Sequence, residues 1–209
     1  MKTGLKGCLI TGFVLIGSAA ETSPVLTIHV TNQAEVNRNT LFQAERTATA
    51  IFKKTGVATQ WIDPPDEESF PLSHIHLKIL PSVMSIRPGL PDNFRDNAIG
   101  LAPGSGPNRQ WALVFYNSVE ALAMSHRSDA HANTAKMLGH AIAHEIGHLL
   151  LDEQTHSAAG IMRGDWNLSD LRNASYGSLL FTPRQAKAIR QEASRRIIVS
   201  LPESHIAPN

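Results

Sequence analysis

Apolar residues recur at two different spacings along the first part of this chain. Residues 25–30 alternate between apolar and polar, which predicts a β-strand with one buried face. Residues 37–55 place apolar side chains on one helical face, which predicts an amphipathic helix that ends at Gly56. Residues 57–62 predict a second strand. A strand, a long helix and a strand in this order predict a right-handed βαβ crossover and a partly parallel sheet.

Two further strands are predicted at residues 74–80 and 110–116. The stretch between them, residues 81–107, is rich in proline and glycine and predicts surface loops with one short strand near residues 98–102. The expected fold class is therefore α+β, with an α/β-type N-terminal part and a twisted mixed sheet of about five strands.

Two more helices are predicted in the second half of the chain. The first has an apolar stripe opposite a set of histidines, as expected of a helix with one face in a core and one lining a cleft. The members of this stripe are Leu138, Ile142, Ile146 and Leu149. The second begins at Thr182-Pro183-Arg184-Gln185, a capping-box pattern with proline at the first helical position. Its stripe is Ala186, Ile189, Ala193 and Ile197.

Residues 1–20 have the pattern of a secretory signal peptide. Lys2 and Lys6 precede an apolar run at residues 8–16, and small residues up to Ala20 provide a cleavage site. A membrane anchor is the alternative, but the run is about half as long as the ~20 residues that a span requires. We therefore expect a mature chain that begins after Ala20, is secreted or periplasmic and has no stable membrane anchor.

Composition limits the metal ligands and binding partners that the mature chain can have. The only cysteine, Cys8, lies in the signal, which leaves neither a disulfide nor a thiolate metal ligand. Loss of Lys2 and Lys6 takes the 19 basic residues to 17, against 18 acidic ones, so the net charge is −1 and no nucleic-acid partner is indicated. No repeat or low-complexity linker divides residues 21–209, which predicts a single domain.

The strongest chemical signal is the pentapeptide His144-Glu145-Ile146-Gly147-His148. On a helix, His144 and His148 stand one turn apart on the same face, so their imidazoles can converge on one metal ion. Glu145 lies beside them and is too short to be a third ligand from the same turn, but it can accept a proton from water at the metal. The pattern indicates a zinc site with Glu145 as the general base.

Eight residues after His148 comes His156, and six residues later comes Met162 in Gly160-Ile161-Met162. This arrangement resembles the metzincin zinc endopeptidases, in which a third histidine and a tight methionine-containing turn follow the helix. The resemblance implies zinc bound by His144, His148 and His156, with Met162 as a support beneath them. It also implies a protein or peptide substrate bound in an extended conformation. The order of the predicted elements resembles the N-terminal subdomain of that family.

The third ligand lies where this chain and the family differ. Leu151 stands at the family's glycine, Gln154 at its third-ligand position, and His156 two positions later. Gln154, Asp152 and Glu153 stay open as alternatives, although an amide oxygen is a poor zinc ligand and the carboxylates would have to fold back. We favour His156, which keeps the family's spacing to the turn. The helix is then expected to leave by a looser loop, with Asp152 or Glu153 left-handed.

The other histidines are expected to bind no metal. Eight residues of helix rise about 12 Å, so His140 and His148 cannot share an ion, and His140 is expected behind the ligands or at the surface. His74 and His76 form a His-x-His pair on a strand, a spacing that some zinc sites use. No third partner is evident near them, so we expect a half-buried strand with polar residues outward.

Together these patterns favour a secreted zinc-dependent endopeptidase that uses Glu145 to activate water. Two other functions stay open. One is a zinc hydrolase of a non-peptide amide or ester, because the same attack by water serves any such carbonyl. The other is a non-catalytic secreted zinc-binding module, although a structural site needs no base and would prefer a fourth protein ligand.

Overall fold

The computed structural model describes residues 23–62, 71–90, 94–104, 109–125, 133–151 and 156–200. Residues 1–20, expected to be a signal peptide, lie outside the described residues. In chain order the elements are β1 (Val25–Asn32), α1 (Arg38–Thr55), β2 (Ala58–Ile62), β3 (His74–Leu80), β4 (Gly100–Leu101), β5 (Trp111–Phe115), α2 (Tyr116–Met124), α3 (Thr134–Leu151), α4 (Leu168–Ser175) and α5 (Pro183–Ser200). The predicted α+β fold with a mixed five-stranded sheet is confirmed.

The sheet has the strand order β2-β1-β3-β5-β4. β1 pairs in parallel with β2 on one side and with β3 on the other, so the predicted parallel crossover through α1 is confirmed. β5 continues the parallel sheet, and β4 pairs with β5 in the antiparallel direction. The short strand predicted near residues 98–102 is therefore present as an edge strand at Gly100–Leu101.

Asn37 and Gly56 set the two ends of α1, and the end at Gly56 is as predicted. Asn37 accepts a hydrogen bond from the Thr40 amide at 2.9 Å, which satisfies one of the donors left open in the first turn. Gly56 follows the last turn at φ +81°, a left-handed conformation that favours glycine. Its amide bonds back to the carbonyls of Phe52 and Lys53. The chain therefore leaves α1 abruptly and enters β2.

One face of the sheet packs against α1 and α3, which together bury the alternating apolar residues of the strands. On the two central strands these residues are Leu26, Ile28, Val30, Ile75, Leu77 and Ile79. The two helices approach closely at Gly139 of α3. A Cβ atom added there would lie 2.5 Å from Thr47 Cβ and 2.6 Å from the Ala44 carbonyl oxygen. The absence of a side chain at Gly139 thus fixes where α3 lies against α1.

Two helical segments are not predicted by the sequence. α2 begins directly after β5, and Phe115 at its N-cap makes no side-chain capping bond. A 3-10 helix at Val83–Gly89 occupies part of the stretch expected to be loop. Val83 packs with Leu80, Leu113 and Phe115 in a second, smaller core cluster. Because tertiary packing rather than a local cap accompanies these segments, the sequence pattern carries little signal for them.

α4 was also missed, although its signal is present in the sequence. Asn167 accepts hydrogen bonds from the amides of Ser169 and Asp170, and the Asp170 carboxylate accepts one from the Asn167 amide. This is a complete capping box. The helix spans only Leu168–Ser175, so it has too few apolar positions to form the periodic stripe on which helix prediction relies.

The C-terminal helix α5 is confirmed, but its buried face differs from the prediction. Thr182 and Gln185 bond reciprocally at 3.0 and 3.3 Å, as the capping-box pattern predicts. The buried side chains are Gln185, Ile189, Ala193 and Arg196. The stripe proposed to include Ala186 and Ile197 was therefore wrong at those two positions, which are only half-buried. Among the helices of the described ranges, none has the length and apolar character needed to cross a membrane.

We predict that Gly139→Ala lowers the free energy of unfolding by about 1–2 kcal/mol. The added methyl group overpacks the contact with α1, which outweighs the better helix propensity of alanine. Urea-induced unfolding measures the change. Gly89→Ala is the matched control, because a Cβ atom there meets nothing within 4 Å. Its stability should stay within about 0.5 kcal/mol of wild type. Equal stability of the two variants would contradict the close approach.

Candidate metal centre

α3 brings the first two candidate ligands together. The Nε2 atoms of His144 and His148 lie 3.1 Å apart, and their ring planes are nearly perpendicular. Two nitrogens bound tetrahedrally to one zinc ion at about 2.0–2.1 Å are roughly 3.3 Å apart, so this separation fits two ligands of a common ion. Both side chains are buried, at 2% and 7% relative exposure. The four-residue spacing on the helix therefore brings His144 and His148 together, as the sequence predicts.

His156 completes a group of three imidazoles. Its ring centroid lies 5.3 Å from that of His144 and 5.1 Å from that of His148. One ring nitrogen from each of the three histidines lies within 4.8 Å of the other two, an arrangement that could hold a metal ion. The alternatives Asp152, Glu153 and Gln154, and the left-handed turn expected among them, lie outside the described residues.

The orientation of His144 is fixed from behind. Its Nδ1 donates to the Ile161 carbonyl at 2.7 Å, which leaves Nε2 without a proton and directed at the other imidazoles. Trp166 Nε1 donates to the same carbonyl at 3.0 Å, and its ring meets His144 edge-on. Burial lowers the pKa of His144 to about 3, with a further lowering by the neighbouring His148. The imidazole is therefore neutral, as a metal ligand must be.

The segment after His156 forms the predicted tight turn. The Arg163 amide donates to the Gly160 carbonyl at 3.1 Å, and Gly160 has a φ of +74°. Met162 is buried within this turn. A Cβ atom added at Gly147 would lie 2.6 Å from the Met162 sulfur. The sulfur therefore lies against α3 at Gly147, the residue just before His148. The supporting role of Met162 stays a prediction.

Gly164 lies against the third imidazole. A Cβ atom there would lie 2.7 Å from His156 Nδ1 and 2.8 Å from Cγ. Any side chain at this position would displace the ring, so the glycine is part of what allows His156 to reach the other two histidines. The sequence contains no signal for this role. Gly164 has no positive φ that a turn pattern could indicate, and its importance comes only from a contact made in the folded protein.

Glu145 points into the same cavity as the three histidines. A Cβ atom added at Gly100 of β4 would lie 2.6 Å from both Cγ and Cδ of Glu145, so the carboxyl group packs against the backbone of the edge strand. Burial raises the pKa of Glu145 to about 8. A cation held by the histidines would lower that pKa again by favouring the carboxylate. Burial therefore favours the carboxylic acid, and a bound cation would favour the carboxylate.

The cavity is a cleft of about 700 Å³ with two walls. β4 and the residues just before it form one wall, and the histidines with residues 164–166 form the other. Arg95 and Asp165 join the walls at the rim through an exposed ion pair of 2.8 Å. A volume of this size is in the range of sites that bind small molecules or a few residues of a peptide.

His140 is buried, so of its two expected positions, behind the ligands or at the surface, the surface one is excluded. Among the described residues it is not part of the group of three histidines that could hold a metal ion. Its Nδ1 donates to the Lys136 carbonyl at 2.8 Å, and its ring meets Trp166 edge-on. Within the described residues, Nε2 of His140 has no hydrogen-bond partner. Burial lowers the pKa of His140 to about 4, although the bond to Lys136 opposes this shift.

His74 and His76 have a neighbour that the sequence did not reveal. His29 Nε2 lies 2.9 Å from His74 Nδ1, and the His29 ring stacks on both His74 and His76. His76 also stacks on Trp111 at 4.2 Å. Burial and the neighbouring His29 and His74 lower the pKa of His76. His74 and His76 are each half-buried, as expected for this strand. Among the described residues, His29, His74 and His76 do not form a group of donors like that of His144, His148 and His156.

Arg109 was missed altogether. It is buried, lines the cleft and donates to the His148 carbonyl at 2.7 Å. It precedes β5 in a polar stretch, where an arginine in the sequence normally indicates exposure. Comparisons with known proteins add no further functional residue: no protein-family model matches the chain, and a search of curated proteins finds no match.

The buried His140 makes a testable contribution to acid sensitivity. Its pKa is lower in the folded state than the usual value of 6.5, so unfolded chains bind more protons between about pH 6.5 and 4 and stability falls as the pH falls. Between pH 7.5 and 5.0, wild type should lose about 2 kcal/mol more unfolding free energy than His140→Leu. Urea unfolding in EDTA at both pH values measures this difference. Equal losses in both proteins would show that His140 titrates normally.

Proposed function

We propose that this protein is a zinc-dependent endopeptidase. One observation carries the proposal: three imidazole nitrogens converge in a cleft that also holds a buried carboxyl group, Glu145. Three neutral nitrogen donors suit zinc and leave its fourth position open, which is the pattern of catalytic rather than structural zinc sites. Zinc held by His144, His148 and His156 would supply Lewis-acid activation of water and of a substrate carbonyl.

Glu145 is the proposed general base. As a carboxylate it accepts a proton from the attacking water, and as a carboxylic acid it then donates that proton to the nitrogen of the leaving amine. Burial raises its pKa, which favours the donating half of this transfer, and a cation held by the histidines would lower that pKa and favour the carboxylate that accepts the proton. Its carboxyl group is held beside the cleft wall by the close approach of Gly100. This contact would restrain the base beside the histidines.

The proposed substrate is a protein or peptide in an extended conformation. β4 is one of the two edge strands of the sheet and lines the cleft, with β5 on its other side. An edge strand can add a further strand through main-chain hydrogen bonds, which gives affinity with little dependence on side chains. A peptide bound in this way would lie between β4 and the histidines. This arrangement favours hydrolysis of peptide bonds over that of a small ester.

The cellular setting is part of the same proposal. The N-terminal pattern favours a signal peptide at residues 1–20, cleavage after Ala20, and a single catalytic domain over residues 21–209 in a secreted or periplasmic protein. N-terminal sequencing of the protein recovered from the medium or the periplasm identifies the mature start.

Glu145→Gln should retain zinc and the fold while lowering peptide hydrolysis by about 100-fold or more, because the amide is nearly isosteric but cannot take a proton. Metal analysis of the purified protein and cleavage of a peptide library measure both effects. Wild type and Glu145→Gln should contain equal zinc. Turnover by the variant at the wild-type rate would remove Glu145 from the mechanism. Hydrolysis of amide or ester reporters without cleavage of any peptide would replace the endopeptidase by a non-peptide hydrolase.

His156→Ala should lower zinc affinity by orders of magnitude, whereas Glu153→Gln should change it little. The reason is that His156 supplies an imidazole within 4.8 Å of the other two donors. Competition with a chromogenic chelator measures the affinities, and circular dichroism checks the fold. If Glu153→Gln removes the metal and His156→Ala retains it, the ligands are two histidines and one carboxylate, and the metzincin resemblance fails.

A further inference from the structure

A buried guanidinium group joins the two walls of the cleft. Arg109 Nη2 donates to the His148 carbonyl on α3 at 2.7 Å, and Nη1 reaches the Ala102 carbonyl just after β4 at 3.4 Å. The side chain belongs to a residue that is only 7% exposed. One planar donor group therefore contacts both the helix that carries two of the proposed ligands and the residue that follows β4 in the opposite wall.

The contact with His148 lies in the last turn of α3, which ends at Leu151. Carbonyls in the last turn of a helix carry a partial negative charge. A guanidinium group there satisfies the carbonyl and offsets the charge, and a bond from a charged donor is stronger than one from a neutral donor. Arg109 thus restrains the backbone of the residue whose imidazole faces His144.

Arg109 is itself held in place by a second buried arginine. Arg196 of α5 donates from Nη1 to the Arg109 carbonyl at 2.9 Å and from Nη2 to the Leu149 carbonyl at 2.8 Å. Its Nε donates to the Glu192 carboxylate, also at 2.8 Å. The backbone of Arg109 is therefore fixed relative to the same helix end that its side chain contacts. Such a closed set of bonds restrains position more tightly than one exposed contact.

We propose that Arg109 is a positioning residue of the metal centre: it holds His148 in its ligand orientation and keeps β4 at a fixed distance from the histidines. The first part concerns metal affinity and needs no catalytic activity. The second part rests on the proposed function, since a substrate between β4 and α3 is affected by the width of the cleft. Residues that orient metal ligands from outside typically change metal affinity 10–100-fold when they are replaced.

The test compares Arg109→Met with Arg109→Lys and with the control Arg184→Met. Arg184 is exposed near the start of α5, so its replacement removes the same charge without touching α3. Zinc affinity is measured by chelator competition on the full chain, and apo stability by urea unfolding in EDTA. Arg109→Met should weaken zinc binding by about 10-fold. Arg109→Lys keeps a cation that can reach one carbonyl and should recover most of that loss. Arg184→Met should bind zinc as wild type does.

Peptide-cleavage kinetics are the second measurement, and they separate the effect of Arg109 on His148 from its effect on the position of β4. Lysine cannot donate to two carbonyls in the fork geometry of arginine, so Arg109→Lys should raise KM for a peptide several-fold while kcat stays near wild type. Arg109→Met with lower apo stability but wild-type zinc affinity would overturn the proposal, because the residue would then be merely structural. If Arg109→Met does not fold, Arg109→Gln replaces it under the same criterion. A wild type that binds zinc and cleaves no peptide contradicts the endopeptidase but leaves the zinc comparison decisive.

Discussion

The burial of polar groups on α3 is the constraint on which the rest of the structure depends. His140, His144, Glu145 and His148 are all buried on this one helix. Burying such groups costs several kcal/mol each unless hydrogen bonds replace the lost water. The turn around Ile161 supplies an acceptor to His144, α3's own backbone supplies one to His140, and Arg109 meets the carbonyl of His148. The segments around the helix are therefore arranged by its polar residues as much as by its apolar ones.

Three glycines contribute to this site because they have no side chain. Gly100, Gly147 and Gly164 lie against Glu145, Met162 and His156 respectively, and a Cβ atom at any of them would fall within 2.7 Å of its neighbour. None of the three has a positive φ. Their role is therefore close approach rather than backbone conformation. They allow a strand, a helix and a loop to converge on a small volume, which is what brings three imidazoles and a carboxyl group into one cleft.

The sequence predicted those features that depend on local chemistry or on regular spacing. The C-terminal cap of α1 at Gly56 and the His144 and His148 pair are examples, because each follows from a few neighbouring residues. The turn at Gly160 was expected from the resemblance to metzincins. The sequence did not predict Arg109, His29 or α2, since each depends on contacts between residues distant in the chain. For Arg109 the usual rule predicts an exposed side chain, whereas the residue is buried. Only the fold shows that Arg109 lies beside the His148 carbonyl near the end of α3.

The position of His156 shows why a shift of two residues relative to the metzincin pattern need not disrupt such a site. The imidazole lies against Gly164, and the Ser157 amide donates to the Met162 carbonyl at 2.8 Å, so both contacts come from the segment after His156. His144 in turn bonds to the Ile161 carbonyl of that same segment. The downstream turn thus sets the distance between His156 and the helix. The later position of His156 in the sequence therefore need not change where its imidazole lies.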